Sequence, residues 1–412
     1  MKGFQKLVSV DDALKTFFAE LQIKPRKVSV PLISALGRVL AQEIVAFTDL
    51  PRTDRSAVDG YAVNADDTAG ATQSKPRILK IIDTGTTGRR QAKQVWTGKP
   101  IPKHANAVVM LENTKLVKDK IEVGSSMTPW ENVSKKGEDI RKGETAIRAG
   151  TRLKPQHLGL AAALGVGAVE VHKKPRIAIL ATGNELAELG SRLRRGQVLD
   201  VNRLVLTALC NELGVDTLDL GIAKDDVDEI SRKIMLGLKK ADAIITSGGT
   251  SVGGRDLVPE AINRTGKPGV IIHGVAIRPG MPTALAVVKG KPIIILPGNP
   301  VAAMLGFEVF GRPLVSRMLG LKQTESRHKL KARVTRRIAT TLGRRNFVRV
   351  RVFSQNDEFL AEPISARGSS LISTMTKANG YVIVPENVEG LEEGEIITVQ
   401  MFDNLEGIDH DV

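Results

Sequence analysis

The chain has 412 residues, of which 42% are hydrophobic and 25% charged, and its formal net charge is +15. These values are typical of a globular protein with a large core, and the length predicts about two to four domains. The apolar stretches are interrupted by glycine and too short to span a bilayer. The basic excess attracts anions, whether phosphorylated metabolites, oxyanions or nucleic acid, without distinguishing between them.

The low numbers of cysteine and aromatic residues exclude further classes. The single cysteine, Cys210, allows no intramolecular disulfide and no multi-cysteine metal site, and it lies on the predicted buried side of a helix. Aromatic residues make up 3% of the chain and do not alternate with basic ones, as a surface that stacks single-stranded nucleic acid requires. Because the N-terminal residues also show no signal-peptide pattern, we predict a cytoplasmic protein that binds neither nucleic acid nor membrane.

The first half of the chain predicts a helix and then a β-rich region. Helical spacing and an acidic first turn predict a helix over residues 11–21. Short strands and turns are predicted over residues 75–145. The segment "PQHLGLAAALG" (155–165) then predicts a helix that ends at glycine.

The next part of the chain predicts an α/β domain. Short apolar runs at 176–180, 241–246 and 291–296 end at glycine-rich loops, and helical segments lie between them. This alternation predicts a mostly parallel sheet with helices on both faces.

After residue 325 the hydrophobic period is two, which predicts a small β-barrel or sandwich. In the segment "NFVRVRVF", Arg349 and Arg351 share one face of the predicted strand. We expect this face to be a solvated face of the barrel.

Three loops follow the carboxyl ends of the predicted parallel strands, where open α/β sheets bind ligands. They are "ATGNELAE", "SGGTSVGGRD" and "LPGNPVAAML". The second loop has four glycines, whose backbone N–H groups can approach an anion closely, beside two hydroxyl groups. In the third loop, Asn299 is predicted to cap a helix that starts at Pro300. The residues of the second and third loops that we expect to contact a ligand are Ser247, Gly248, Gly249, Thr250, Ser251, Gly253, Pro297, Gly298 and Asn299.

The second loop also matches G-x-S-x-G, the pattern of the hydrolase nucleophile elbow. Ser251 would then be the nucleophile, and it would need an acid and a histidine downstream. His273 and His328 are available, but neither lies in a recognisable late loop. A serine hydrolase that uses Ser251 therefore stays an alternative hypothesis.

Carboxylates also follow the predicted strands. Glu185 lies in the first loop, Asp256 closes the second, and Asp225 follows a further predicted strand, "DTLDLGI". Carboxylates at several strand ends of one sheet can converge on a hard cation, so these three acids predict a Mg²⁺ site. The neighbouring Asp226 is better explained as an acid at a helix N-terminus. The six histidines have no spacing typical of a zinc site.

Long, irregular motifs occur along nearly the whole chain, and in content and order they resemble the molybdopterin molybdenumtransferase family. This family is called MoeA in bacteria and includes the C-terminal domain of gephyrin. The motifs are "RSAVDGYAV" (55–63), "WTGKPIPKHANAVVMLE" (96–112), "GEDIRKGE" (137–144), "ILATGNEL" (179–186), "LDVNR" (199–203), "SGGTSVGGRD" (247–256), "PGMPTALA" (279–286) and "LPGNPVAA" (296–303).

The resemblance implies an enzyme that takes adenylylated molybdopterin and molybdate or tungstate, inserts the metal at the dithiolene and releases AMP, with Mg²⁺ present. It also implies an elongated homodimer, in which the α/β domain of one subunit faces the β-rich domain of the other, and a molybdopterin adenylyltransferase as a transient partner. Matched motif by motif, it implies functional roles for Asp59, Thr97, Asp139, Glu185, Asp225 and Asp256, and an anion-binding role for Arg278.

The expected fold is a multidomain α and β protein. Its centre is an α/β, molybdopterin-binding domain over residues 175–322, with a mostly parallel sheet flanked by helices. A β-rich domain is expected over 45–142, a linking N-terminal domain over 1–44 plus 143–174, and a C-terminal β-barrel over 323–412.

The expected anion site departs from the family's pattern. Family members usually carry lysines in "KPGKP", whereas this chain reads "RPGMP", with Arg278 and Met281. Arg278 keeps a positive charge and Met281 loses one, so the choice between molybdate and tungstate stays open. A scaffold of the same fold, as in gephyrin, is a further alternative, but a pure scaffold has no reason to keep the carboxylates named above.

Overall fold

The computed structural model describes residues 7–249, 256–322, 327–364 and 371–402. These residues form two compact units. One unit spans residues 29–171, and the other contains the described residues before 29 and after 171. The predicted domain limits divide the chain more finely than this and stay a prediction.

The elements up to residue 172 are mostly short strands. In chain order they are α1 (Val10–Ala19), β1 (Lys27–Pro31), β2 (Ile44–Val45), β3 (Arg55–Ser56), β4 (Gly60–Val63), β5 (Arg77–Ile81), β6 (Gln91–Val95), β7 (Ala107–Met110), β8 (Thr114–Val117), β9 (Lys120–Val123), β10 (Val133–Ser134), β11 (Thr145–Ile147), α2 (Pro155–Ala163) and β12 (Ala168–His172).

The predicted β-rich region and both predicted helices of this part are confirmed. Strands β4 to β9 form a six-stranded sheet in the order β7-β4-β6-β5-β9-β8, around a core that includes Leu79, Val109 and Ile121. Helix α1 begins one residue before the predicted segment because Ser9 caps it, and the Ser9 hydroxyl accepts the N–H of Asp12 at 3.1 Å.

From residue 176 to residue 318 helices are interspersed among the strands. The elements are β13 (Arg176–Thr182), β14 (Leu186–Ala187), β15 (Val198–Leu199), α3 (Asn202–Glu212), β16 (Asp216–Ala223), α4 (Val227–Lys240), β17 (Ala243–Ser247), α5 (Leu257–Thr265), β18 (Pro268–His273), β19 (Ile277–Arg278), β20 (Ala284–Val288), β21 (Lys291–Leu296), α6 (Pro300–Gly306) and α7 (Arg312–Met318).

The α/β sheet has the order β16-β13-β17-β21-β20-β18. Strands β16, β13, β17 and β21 are parallel, and β20 runs antiparallel to both of its neighbours, so the prediction of a mostly parallel sheet is confirmed. Six consecutive residues of β13 are buried, from Ile177 to Thr182, which requires cover on both faces because successive side chains point to opposite sides. The carboxyl ends of the four parallel strands therefore share one edge of the sheet.

The last part of the chain forms a closed barrel. Its elements are β22 (Lys329–Val334), β23 (Ile338–Ala339), β24 (Arg345–Gln355), β25 (Glu358–Pro363), α8 (Ser373–Lys377), β26 (Gly380–Val384), β27 (Gly390–Leu391) and β28 (Ile396–Met401). Five strands pair in the ring β24-β25-β22-β28-β26, which closes because β26 also pairs with β24. Of the two predicted forms, the structure has the barrel.

Cys210 lies on the buried side of a helix, as expected. The Cys210 side chain is fully buried, and burial raises the pKa of its thiol to about 12, so it is a protonated core residue at neutral pH. In the part of the chain that the structure describes, no helix combines the length and the apolar character needed to cross a membrane.

Candidate functional site

A cavity of about 640 Å³ lies at the carboxyl ends of the parallel strands, and we call it the sheet-edge cavity. Its walls are the loops that follow β13, β17 and β21, together with the chain from β15 into α3. The predicted ligand-contacting residues that line it are Glu185, Ser247, Gly248, Gly249, Pro297, Gly298 and Asn299. Thr250, Ser251 and Gly253 lie outside the described residues.

The glycines after β17 are required by the protein's own packing. Gly248 and Gly249 have φ angles of +95° and +68°, which side chains rarely adopt. A Cβ atom built on Gly248 would overlap the carbonyl oxygen of Thr182, and one on Gly249 would overlap the side chain of Val258. The N–H of Gly248 donates to the carbonyl of Leu296 at 3.0 Å. Contrary to our expectation, this N–H is therefore not available to an anion.

Asn202, the first residue of α3, connects three walls of the cavity. Its Nδ2 donates to Ser247 Oγ and to the carbonyl oxygen of Gly298, each at 2.7 Å. Ser247 Oγ in turn donates to the carbonyl of Pro297 at 3.3 Å. The sequence reasoning missed Asn202 as a site residue, although it lies in the motif "LDVNR", because no spacing rule marks a single buried amide.

Arg203 holds the loop between β14 and β15 in place. Its guanidinium donates to the carboxylates of Asp200 and Glu188, and to Asp219 at 2.8 Å. Burial alone would lower the pKa of this guanidinium, but the hydrogen bonds to the three acids raise it above its ordinary value. Because Asp200 lines the sheet-edge cavity, the cluster fixes one of its walls.

The predicted carboxylates at this edge have different surroundings. Glu185 is exposed, and its carboxylate folds back over Gly183. Asp225 accepts the N–H of Asn184 at 3.2 Å, and its own N–H donates to Asn184 Oδ1 at 3.1 Å. Asp226 caps α4 by accepting the N–H of Glu229 at 2.7 Å, which confirms its structural role.

Asp256 lies directly before α5, with Oδ2 3.7 Å from Nε2 of His273. Its other oxygen, Oδ1, is buried and has no hydrogen-bond partner among the described residues. The structure does not bring Glu185, Asp225 and Asp256 together as a set of ligands, since no group of three His, Cys, Asp or Glu side chains in the described ranges could hold a metal ion. The metal site stays a prediction.

The three remaining predicted residues lie in the unit of residues 29–171. Thr97 donates to Asp59 Oδ1 from both its N–H and its Oγ1, each at 2.7 Å. These two bonds, the one from the N–H first, lower the pKa of the Asp59 carboxyl. Asp139 lies on a separate exposed loop, where its N–H donates to the carbonyl of Leu50 at 3.1 Å.

A second cavity, of about 500 Å³, lies between the segment of residues 277–282 and the C-terminal barrel, and we call it the arginine cavity. Pro282 lines both cavities. No carboxylate of the described residues lines the arginine cavity. Its charged lining residues are Arg278, Arg336, Arg337, Arg344 and Arg349. The predicted anion-binding residue Arg278 therefore belongs to this cavity and not to the sheet-edge cavity.

Arg349 corrects our expectation of a solvated barrel face. Its side chain is 7% exposed, and burial lowers the pKa of its guanidinium. Nε of Arg349 has no hydrogen-bond partner within the part of the structure that is described. Arg351, two residues further on the same strand face, is exposed as expected. Strand alternation identified the shared face, but it could not show that the neighbouring segments cover only one end of it.

The chain is similar to known proteins along nearly its whole length. Three family models match in order: the MoeA N-terminal region (domain I and II) over residues 8–165, a probable molybdopterin binding domain over 178–317, and the MoeA C-terminal region (domain IV) over 331–402.

Similar proteins include a putative molybdopterin biosynthesis protein of Methanocaldococcus jannaschii, which is 37% identical over 98% of this chain and 100% of that protein. The molybdopterin molybdenumtransferase 2 of Mycobacterium tuberculosis is 35% identical over 92% of this chain and 96% of that protein. The crystal structure of a molybdopterin biosynthesis moeA protein from Pyrococcus horikoshii OT3 has a TM-score of 0.82 and 31% identity, and the alignment covers 96% of this chain and 100% of that one.

Proposed function

Since the chain belongs to the MoeA family of molybdopterin molybdenumtransferases, which act in molybdenum cofactor biosynthesis, we propose that it inserts molybdate or tungstate into adenylylated molybdopterin and releases AMP in a Mg²⁺-dependent reaction. The observation that carries the proposal is the pair of cavities that share Pro282. One cavity is lined by five arginines, and the other lies at the sheet edge within the matched molybdopterin-binding region.

The arginine cavity suits a dianionic oxyanion. Guanidinium groups present planar, paired donors that match oxyanion oxygens, and they stay charged at neutral pH. Arg337 is partly neutralised by Glu392 at 3.2 Å, whereas the buried Arg349 is paired with no carboxylate of the described chain. A buried charge of this kind is costly until an opposite charge approaches it. We therefore place the oxyanion substrate against Arg349 and Arg278.

The sheet-edge cavity suits the pterin part of the substrate. In the described chain no Lys, Arg or His side chain lines this cavity, so its described walls carry no positive side chain for a phosphate or an oxyanion. Its volume of about 640 Å³ falls in the range of ordinary small-ligand sites, about 300–1,000 Å³. The oxyanion and the uncharged pterin ring of the second substrate thus have two adjoining cavities.

The carboxylates at the sheet edge have the donor chemistry that Mg²⁺ requires. Mg²⁺ is usually held by one or two carboxylates together with substrate phosphates and waters. Asp256 is the best candidate ligand because its buried Oδ1 has no hydrogen-bond partner among the described residues. Asp225 and Glu185 are the second candidates. When bound, the ion would neutralise charge on the phosphate that leaves with AMP.

The proposal retains four further expectations. Asp59, Thr97 and Asp139 act on the substrate from the β-rich part of the chain, and the working form is a homodimer. A molybdopterin adenylyltransferase delivers the adenylylated substrate as a transient partner, in the cytoplasm. Light scattering of the purified protein tests the dimer, because a monomer at micromolar concentration would contradict it.

The direct test of the proposed reaction is an assay of AMP release. Purified protein is incubated with adenylylated molybdopterin, Mg²⁺ and either molybdate or tungstate. We expect AMP release that requires both the oxyanion and Mg²⁺, and the preferred oxyanion is the one with the higher kcat/KM. AMP release at the same rate without any oxyanion would indicate hydrolysis and not metal insertion.

A further inference from the structure

The Asn202 side chain can be oriented in one way only. One end of its amide faces the carbonyl oxygen of Gly298, which can only accept a hydrogen bond. The same end faces Ser247 Oγ, whose own hydrogen is directed at the carbonyl of Pro297. This end must therefore be the NH₂ group, and the other end is the carbonyl oxygen Oδ1.

Oδ1 of Asn202 is an acceptor that the described protein leaves without a donor. The side chain is 7% exposed, and Oδ1 has no hydrogen-bond partner among the described residues. Thr182 Oγ1, on a side chain that is 2% exposed, also has no hydrogen-bond partner among the described residues, and as a hydroxyl it can accept or donate. Both residues line the sheet-edge cavity. A buried acceptor without a donor is unfavourable, so a ligand in this cavity stabilises it by supplying an N–H or O–H.

The charged side chains of the cavity also accept hydrogen bonds. Glu185 and Asp200 contribute carboxylates, and no basic side chain of the described residues lines the walls. Since Asp200 is neutralised by Arg203, these walls offer an anionic end of a ligand no unpaired positive charge, whereas an edge rich in N–H groups finds acceptors. In molybdopterin the anionic phosphate and dithiolene lie at one end, and the amino-bearing pyrimidine edge of the pterin is the donor-rich end farthest from them.

We infer that Asn202 determines the orientation of the substrate by accepting a hydrogen bond from the amino-bearing edge of the pterin ring. This inference rests on the proposed function and adds to it a specificity-determining residue. The hydrogen bonds from Nδ2 to Ser247 and Gly298 hold the amide in place, and Oδ1 accepts a hydrogen bond from the ligand. With the amino edge against Asn202, the anionic end of the substrate points out of the acceptor-lined cavity.

The inference is tested with two fluorescent probes, pterin and lumazine. Lumazine carries a carbonyl oxygen in place of the amino group of pterin, so it presents an acceptor where pterin presents a donor. We expect the wild-type protein to bind pterin about tenfold more tightly, because one net hydrogen bond corresponds to about a tenfold change in affinity. In Asn202→Leu and Asn202→Ala, which lack the acceptor, this preference falls to about one.

Thr246→Val is the matched control. Thr246 Oγ1 is also buried without a partner among the described residues, but Thr246 does not line the cavity. We expect this variant to keep the wild-type preference for pterin. Thermal unfolding of each variant shows whether it is folded before its affinity is interpreted.

Three outcomes would overturn the inference. Equal affinity of the wild-type protein for pterin and lumazine would mean that no group in the cavity accepts a hydrogen bond from the amino group of pterin. This measurement needs no variant. A preference for pterin that persists in folded Asn202→Leu means that Asn202 only holds the loops. If the wild-type protein binds neither probe, the pterin ring does not bind in this cavity. Oxyanion-dependent AMP release in the same preparation would show that the proposed function stands while the inference fails.

Discussion

Thr97 donates two hydrogen bonds to a single oxygen of the Asp59 carboxylate, one from its backbone N–H and one from its hydroxyl, both at 2.7 Å. The two residues lie 38 positions apart in sequence. Both are exposed, so the pair presents a charged carboxylate at the surface of its unit and does not contribute to a core.

The Asp59 pKa provides the first prediction. Both bonds favour the charged carboxylate, so its pKa lies below the ordinary value of 3.8. Their contribution to stability is present above that ordinary value and is lost as the pH falls through the lowered pKa. Thr97→Val removes the hydroxyl bond and should raise the pKa of Asp59, whereas Thr97→Ser should leave it unchanged. A carboxyl NMR titration measures this, and equal values in all three proteins would disprove the assignment.

The second prediction concerns the close approach at Gly248. In Gly248→Ala the new methyl group meets the carbonyl of Thr182 in addition to adopting an unfavourable positive φ. Gly290→Ala is the matched control, because Gly290 has φ +73° and no atom within 4 Å of a built Cβ. We expect the control to lose about 1–2 kcal/mol of unfolding free energy and Gly248→Ala clearly more. Denaturant unfolding compares them, and equal losses would mean that the loop moves freely away from β13.

The third prediction separates anion binding from stability at Arg349. Arg349→Met removes a buried charge while keeping much of the apolar stem, so the unfolding free energy should stay the same or rise. The KM for molybdate should rise at least tenfold, because the variant loses a desolvated guanidinium from the arginine cavity. Arg351→Met, on the exposed part of the same strand face, should change neither quantity. An unchanged KM in Arg349→Met would place the oxyanion elsewhere.

The fourth prediction concerns the metal. Asp256→Asn keeps the size of the side chain but removes the charge that would hold Mg²⁺, so most of the AMP release should be lost without unfolding of the protein. The measurement is AMP release against Mg²⁺ concentration for the wild type and the variant. Metal-independent turnover in the wild type, or an unchanged Mg²⁺ dependence in the variant, would remove Asp256 from the site.

The fifth prediction distinguishes the transferase from a serine hydrolase. In a transferase the Ser251 hydroxyl forms at most one hydrogen bond, so Ser251→Ala should cost about 0.5–1.5 kcal/mol of transition-state stabilisation. A nucleophile would instead lose on the order of a millionfold in turnover. Complete loss of AMP release, together with covalent labelling of Ser251 by a serine-reactive phosphonate, would favour the hydrolase.

Local patterns in the sequence were sufficient to predict much of the architecture. The apolar runs that became β13, β17 and β21 end at glycine-rich loops, and parallel strands place such ends at one sheet edge. The interpretation of Asp226 as an acid at a helix N-terminus is confirmed, and the structure adds that its side chain caps the helix through a residue three positions further on. The family resemblance followed from motifs whose order along the chain is itself sequence information.

The chemistry of the two cavities was decided by tertiary structure. Arg349 and Arg351 are equivalent in the strand pattern, yet the segment of residues 277–282 and the barrel bury one of them and leave the other in solvent. Asn202 has partners 45 and 96 positions away, so no local pattern reveals that one end of its amide is bound and the other is not. The sequence by itself determined the strands, the loops and the family, because these depend on neighbouring residues. Which polar groups are buried, and which of them lack a partner, depends on contacts between distant segments and was decided only by the fold.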